Sequence, residues 1–148
     1  MRTEAHDTEM VTKARSIAIR AHRGQLDKAG EDYFRAHVLD VVTRVGEDPA
    51  LRAIAYLHDV VEDTEWTLLN LLNQNVPTFV VDAVAAITHR PNEPRDDYYA
   101  RVKANRLALA VKLADIESNT DPIRMSWLDE ATRDRLTRKY EHARAVLA

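Results

Sequence analysis

Residues 49–63 read PALRAIAYLHDVVED, and the phase of this stretch governs how the rest of the chain is understood. Asp48 followed by Pro49 marks a helix start, because proline's fixed φ suits the first helical position and its missing N–H is not needed there. Beyond it, Leu51, Ile54 and Ala55 recur at the spacing of one helix face, and the next members of that face are His58 and Glu62. The pattern predicts a helix to about Val61 that turns chemistry-bearing side chains toward the interior. His58 and Asp59 project about 100° apart. Glu62 and Asp63 are their i+4 partners, so the four residues form one broad, acidic face with a single imidazole.

Working outward, two other segments show the same anomaly. A helix over 33–45, ending before Gly46, has the stripe Phe34, Val38, Val41 and Val45, and His37 lies within it. A segment over 97–118, with a break expected near Asn105, places Asp115 and Asn119 behind Ala108 and Val111 on one face. The remaining punctuation predicts helices over 8–23, stopped by Gly24, and over 66–74, capped by Asp63 or Thr64. Two more follow, from Pro77 to near His89 and from Asp129 to the C-terminus. With 3 Gly and 5 Pro in 148 residues and no sustained apolar/polar alternation, the expected fold is all-α. It is read as a single compact bundle of about seven helices spanning 1–148, with no internal linker.

Composition narrows the function. The absence of Cys removes disulfides, thiolate metal sites and Cys nucleophiles. A net charge of -3 argues against a nucleic-acid-binding surface. No apolar run reaches the ~18 residues of a membrane span. The first ten residues, MRTEAHDTEM, lack the apolar core of a secretory leader, so the cytoplasm is the expected compartment. A homo-oligomeric assembly is left open.

Three helices thus place a ligand-type side chain on a face that should be buried. A buried carboxylate without a partner costs several kcal/mol or neutralises itself by a pKa shift. A divalent cation removes that cost, because imidazole and carboxylate both satisfy it. A lone His on an apolar stripe is ordinarily a satisfied core residue. A His-Asp doublet between an upstream His and a downstream Asp is harder to explain by packing.

The ordered set His37, His58-Asp59 and Asp115 resembles the HD superfamily of metal-dependent phosphohydrolases. The blocks AHRGQLDKAGEDYFRAH (21–37), YLHDVVEDT (56–64) and VKLADIESNT (111–120) are similar, more closely, to the hydrolase domain of the Rel/SpoT alarmone enzymes and their small single-domain relatives. The closing LDEATRDRLTRKYEHARAVL (128–147) resembles that family's last helix. The resemblance implies an HD-domain bundle and hydrolysis of the 3′-pyrophosphate of (p)ppGpp, a stringent-response nucleotide, to GDP and pyrophosphate. It implies that His37, His58, Asp59 and Asp115 bind one divalent ion. Mn²⁺ is expected, and Fe²⁺ or Zn²⁺ also suit two imidazoles and two carboxylates. It implies that Glu62 and Asp63 position the attacking water, that Lys28 lies in the substrate loop, and that Asn119 lies near metal and substrate. Three departures stand out. Asp27 occupies the place of the family's base-stacking Arg, Val38 replaces Pro, and Ile116-Glu117-Ser118-Asn119 replaces Arg-Leu-His-Asn. Asp27 is therefore expected to turn a carboxylate toward the base. Two alternatives follow: an HD nucleotidase or phosphatase for another nucleotide, and a metal-binding signalling module without turnover.

Other residues carry weaker signals. Arg20, Arg23, Arg35 and Lys112 could meet phosphates but read more simply as solvated helix positions. His22 reads as structural, and His89 and His142 as insufficient for a second metal. Tyr98 and Tyr99 read as amphipathic anchors ahead of base- or phosphate-binding groups, and Trp66 and Trp127 as core or interface anchors.

Overall fold

The structure, a computed structural model, describes residues 3–148. Among them lie ten α-helical segments, one π-helical turn and no strand beyond a single bridge between Leu26 and Asp32. Helix α1 (Glu4–Ala21) begins earlier than the sequence suggests, because the Thr3 side chain accepts from His6 N and caps it. Its inner face is Met10, Ala14, Ile17 and Ala18. A compact loop follows, with Gly24 and Gly30 at φ +81° and +83°, which a β-carbon would strain. The chain then enters a π-helical turn (Phe34–Val38) that runs on into α2 (Leu39–Val45).

Asp48 caps α3 (Pro49–Leu57) by accepting from Ala50 N and Leu51 N. This helix does not continue to Val61. At its end the His58 ring Nδ1 lies 2.6 Å from Ala55 O, the carbonyl that an unbroken helix would offer to Asp59 N. Asp59 falls at φ −108°, ψ 0°, and a separate turn, α4 (Val60–Asp63), restarts the helix. Next comes α5 (Leu68–Asn73), capped by Thr67 in a reciprocal box with Asn70 rather than by Asp63 or Thr64. Thereafter come α6 (Thr78–Ile87), α7 (Arg95–Ala104), α8 (Arg106–Asn119), α9 (Pro122–Ser126) and α10 (Glu130–Leu147). The break at Asn105 is as expected, and its side chain caps α8 through Ala108 N. The segment count exceeds seven for three reasons: the third predicted helix splits at His58-Asp59, the sixth splits at Asn105, and Pro122 starts α9.

Two apolar clusters hold the bundle. The larger draws on α1, α2, α3, α6 and α8, including Ile17, Val41, Ile54, Leu57, Val84 and Val111. Full burial of each such aliphatic side chain contributes about 1.5–3 kcal/mol. The smaller joins α7, α9 and α10 to Ile116 of α8. Helix α8 belongs to both clusters, and Asp115 lies on it beside Ala114 and Ile116. The polar centre therefore sits at the seam, with the loop 22–33 along its rim.

No helix among the described residues is long and apolar enough to cross a membrane.

Candidate active site

His37, His58, Asp59 and Asp115 converge as the sequence predicts, although the helix carrying the doublet is broken. One donor atom from each lies within 4.8 Å of the others, and this is the one such group among the described residues. His37 Nε2 is 2.8 Å from Asp115 Oδ1 and 3.5 Å from Asp59 Oδ2. His58 Nε2 is 3.0 Å from Asp59 Oδ2 and 3.3 Å from Asp115 Oδ1. Both rings are about 1% exposed.

The far nitrogens decide what the near ones offer. His58 Nδ1 donates to Ala55 O, and His37 Nδ1 meets the buried Ser118 hydroxyl at 3.0 Å. With Nδ1 engaged, Nε2 of each ring presents a lone pair to the centre, the arrangement by which second-shell partners orient imidazole ligands. His37 Nε2 is buried and, despite its approach to Asp115, makes no well-aligned hydrogen bond. The four groups crowd one centre, where His58 Nε2 also reaches Asp115 Oδ1 at 3.3 Å. The donor set therefore fits a divalent cation: two neutral imidazoles and two carboxylates, one of the latter steadied by the Tyr33 hydroxyl, which donates to Asp59 Oδ2 at 2.5 Å. Burial, and then the Asp59 charge, hold that hydroxyl protonated. Without a cation, burial opposes charging of His58, but Asp59 and Asp115 outweigh it and raise its pKa well above the usual imidazole range.

The centre floors a cleft of about 380 Å³. Glu62 and Asp63 stand on its wall. Burial first, and Asp59 next among the raising influences, pushes both carboxyls above their ordinary range. Glu62 is anchored, since its Oε1 accepts from His89 N at 2.7 Å. Asn119 donates to Asp115 Oδ1 at 3.1 Å, so it supports a centre residue and also faces the cleft. Lys28 lies on the rim. Lys112, expected to be solvated, is instead half-hidden in the cleft, 3.1 Å from Asp115 Oδ2 and above the Tyr98 ring.

Asp27 is not where the sequence suggests. Its Oδ1 accepts from Ala29 N (2.9 Å) and Glu31 N (2.8 Å), and its Oδ2 pairs with Arg124 at 3.2 Å. The side chain is 3% exposed. It knits the loop together and presents no free negative charge. Arg124, from α9, brings a guanidinium to the same side of the cleft, and Leu128, Leu136 and Tyr140 form an apolar wall nearby.

Sequence reasoning missed Arg124, Lys139, Gln25 and the Tyr33 contact. Lys139 had a signal: it falls three residues after Leu136 and four before Ala143, on the buried stripe of α10. Burial, together with Arg95, Lys112 and Lys28, pushes its ammonium down to about 8. Arg35 is exposed, and Arg20 stacks on the partly buried Trp66 away from the cleft. Tyr98 and Tyr99 are core residues, the former donating to Ile87 O. His89 bonds Glu93 O, and His142 pairs with Asp96 at the surface. Trp127 is 59% exposed and so does not anchor the core.

No model of a known protein family matches the chain. A solved structure described as a metazoan ortholog of SpoT that hydrolyses ppGpp and plays a role in starvation responses superposes with a TM-score of 0.73. The match covers 99% of this chain and 88% of that one at 22% identity. The chain has the SpoT-ortholog fold. In sequence, it is 38% identical over 89 residues to a GTP pyrophosphokinase of Streptomyces coelicolor, covering 57% of this chain and 10% of that protein. A GTP pyrophosphokinase of Myxococcus xanthus is 35% identical over 88 residues, covering 55% and 11%. The chain thus spans about a tenth of the length of these curated relatives. The Rel/SpoT resemblance drawn from three sequence blocks is met both in sequence and in fold.

Proposed function

We propose that the protein is a metal-dependent phosphohydrolase that cleaves guanosine 3′,5′-bis(diphosphate) at its 3′ position, yielding GDP and pyrophosphate. The observation that carries this reading is the meeting of His37, His58, Asp59 and Asp115 at the floor of a cleft walled by carboxylates and cations. These four would hold one divalent ion. Mn²⁺ is the reading favoured by the resemblance, and the ligand chemistry also suits Fe²⁺ or Zn²⁺. Such an ion supplies Lewis-acid polarisation of a phosphoryl oxygen and lowers the pKa of water.

The chain's own residues do the rest. Asp63 accepts the proton of the attacking water, and burial, by raising its carboxyl pKa, makes it a stronger base. Glu62, fixed by His89 N, orients that water. Water oxygen bonds to the phosphorus on the 3′ oxygen, the P–O3′ bond breaks, and a proton returns to the ribose oxygen. Lys28, Lys112 and Lys139 meet phosphate oxygens as charge-assisted donors. The base lies toward Leu128, Leu136, Tyr140 and the Arg124 guanidinium, beside Asn119. The partner is therefore a small nucleotide.

Turnover of ppGpp, assayed with Mn²⁺ and with chelator, tests the assignment. GDP and pyrophosphate are expected in the first case and not in the second. His58→Ala should lose metal and activity together. Asp63→Asn should keep the metal and lose about 10²–10⁴ in kcat, the usual contribution of general base catalysis. Cleavage of a simple nucleotide with ppGpp untouched would move the protein to an HD nucleotidase. Metal binding with no turnover of either would leave a binding module.

A further inference from the structure

We propose that Gln25 is a positioning residue for the Asp63 carboxylate, and that the buried ring of His22 fixes which end of the Gln25 amide faces it. The catalytic part of this proposal rests on the assignment of Asp63 as base. The backbone of Gln25 is pinned on both sides. Its N–H donates to His22 O at 2.9 Å across the Gly24 turn, and its carbonyl accepts from Tyr33 N at 2.9 Å. Its side chain is gripped as well: His22 Nδ1 lies 2.7 Å from Gln25 Oε1.

Two constraints select one arrangement. His22 is 1% exposed and its Nε2 has no partner. If Nε2 carried the proton, a donor would be buried unsatisfied, at a cost of about 1–3 kcal/mol. With the proton on Nδ1, the ring donates to Gln25 Oε1 and Nε2 is left as an unprotonated nitrogen, the ring as a whole packing against Tyr33 at 5.2 Å between centroids. The Gln25 NH₂ must then turn to the cleft, which Gln25 and Asp63 line together. There it faces the Asp63 carboxyl across the lining they share, and its nearness opposes the rise in that carboxyl's pKa. The reverse amide orientation would set an oxygen against a carboxylate and lose the match at both ends. His22, Gln25 and Asp63 therefore form a chain of donors from a buried ring to the base. Tyr33, packed against the same ring, separately donates its hydroxyl to Asp59.

Steady-state kinetics on the Mn²⁺-loaded protein with ppGpp, together with NMR, test this. Gln25→Met keeps length and volume but cannot bond. It should lower kcat by about tenfold to a hundredfold, the cost of a slightly misplaced catalytic group, with KM and Mn²⁺ affinity unchanged. His22→Leu should do the same, and His22→Asn, whose amide donor replaces Nδ1–H, should recover most of the loss. In an Asp63→Asn background, Gln25→Met should add nothing. An unchanged kcat in Gln25→Met, or an equal further loss without the Asp63 carboxylate, overturns the positioning role. Long-range ¹H–¹⁵N spectra of the zinc-loaded protein should show His22 with its proton on Nδ1. A proton on Nε2 overturns the orientation whether or not ppGpp is turned over. Full activity in Asp63→Asn alone would instead overturn the assignment of the base, and the NMR result would still judge the His22–Gln25 arrangement.

Discussion

Asp27 shows how one side chain changes meaning once its partners are known. As a bare carboxylate in a substrate loop it would repel a polyphosphate. Folded, it closes the loop through Ala29 N and Glu31 N and neutralises itself on Arg124. Replacing it with the cation usual at that place should therefore not improve binding. Asp27→Arg should lose about 1–3 kcal/mol, the cost of leaving partly buried donors unsatisfied. The expected outcome is a lower melting temperature and no fall in KM for ppGpp, checked by thermal denaturation and initial rates. Asp27→Asn, which keeps an acceptor for the two N–H groups, should lose less. Lys139 gives a second prediction at this scale. Its pKa of about 8 means that it is charged below that pH and loses its charge as pH rises through it. An amine that binds phosphate only when protonated puts an alkaline limb on kcat/KM near pH 8, carried by KM. Lys139→Arg, charged throughout, should remove the limb, because a guanidinium does not titrate in this range. A limb that survives the substitution would assign it to another group.

At the scale of elements, two local departures from the α-helix aim the site. The His58 ring captures the Ala55 carbonyl and ends α3, and the π-helical turn Phe34–Val38 fits an extra residue between Tyr33 and His37. Such single-turn bulges recur at functional sites because they re-aim side chains within an otherwise regular helix. Tyr33 and His37 both face the centre across that turn, with ring centroids 5.3 Å apart. Deleting the exposed Arg35 should restore α-helical spacing and draw Tyr33 one residue closer to His37 along the helix, about 1.5 Å of rise, which pulls its hydroxyl out of register with Asp59. The fold should survive, as judged by circular dichroism, with metal affinity and kcat both reduced. Neither departure was legible in the sequence. The 3.6-residue phase runs unbroken through residues 51–62, and the competition between a ring nitrogen and a backbone N–H for Ala55 O exists only in the packed state. The same phase located His37, His58 and Asp115 because a polar residue on a buried stripe is visible without any structure. Lys139 and Gln25 were harder: their significance depends on which element they face, not on their own helix or loop.

The centre joins parts of the molecule that are distant in the chain. Its donors come from the π-turn, from the break after α3 and from α8, and α8 is shared by both apolar clusters. A cation bound there would tie the smaller cluster of α7, α9 and α10 to the larger one. Without it, Asp59 and Asp115 are balanced only by the buried imidazoles, which must take up protons against burial to do so, and the tie across the seam is weaker. Ligand present only in the folded state stabilises by RT ln(1 + [L]/Kd), about 2.7 kcal/mol at one hundred times Kd. At about 2–4 °C per kcal/mol for a chain of this size, chelation should lower the melting temperature by roughly 5–11 °C. Restoring Mn²⁺ should recover it. His58→Ala and Asp115→Ala should melt at one temperature with or without chelator, because they have no ion to lose. Asp63→Asn, which keeps all four donors, should retain the full shift. Scanning calorimetry on the wild type and these three variants separates the outcomes. A shift of equal size in His58→Ala would mean that the stabilising ion sits elsewhere, and no shift in the wild type would mean that the four donors hold none.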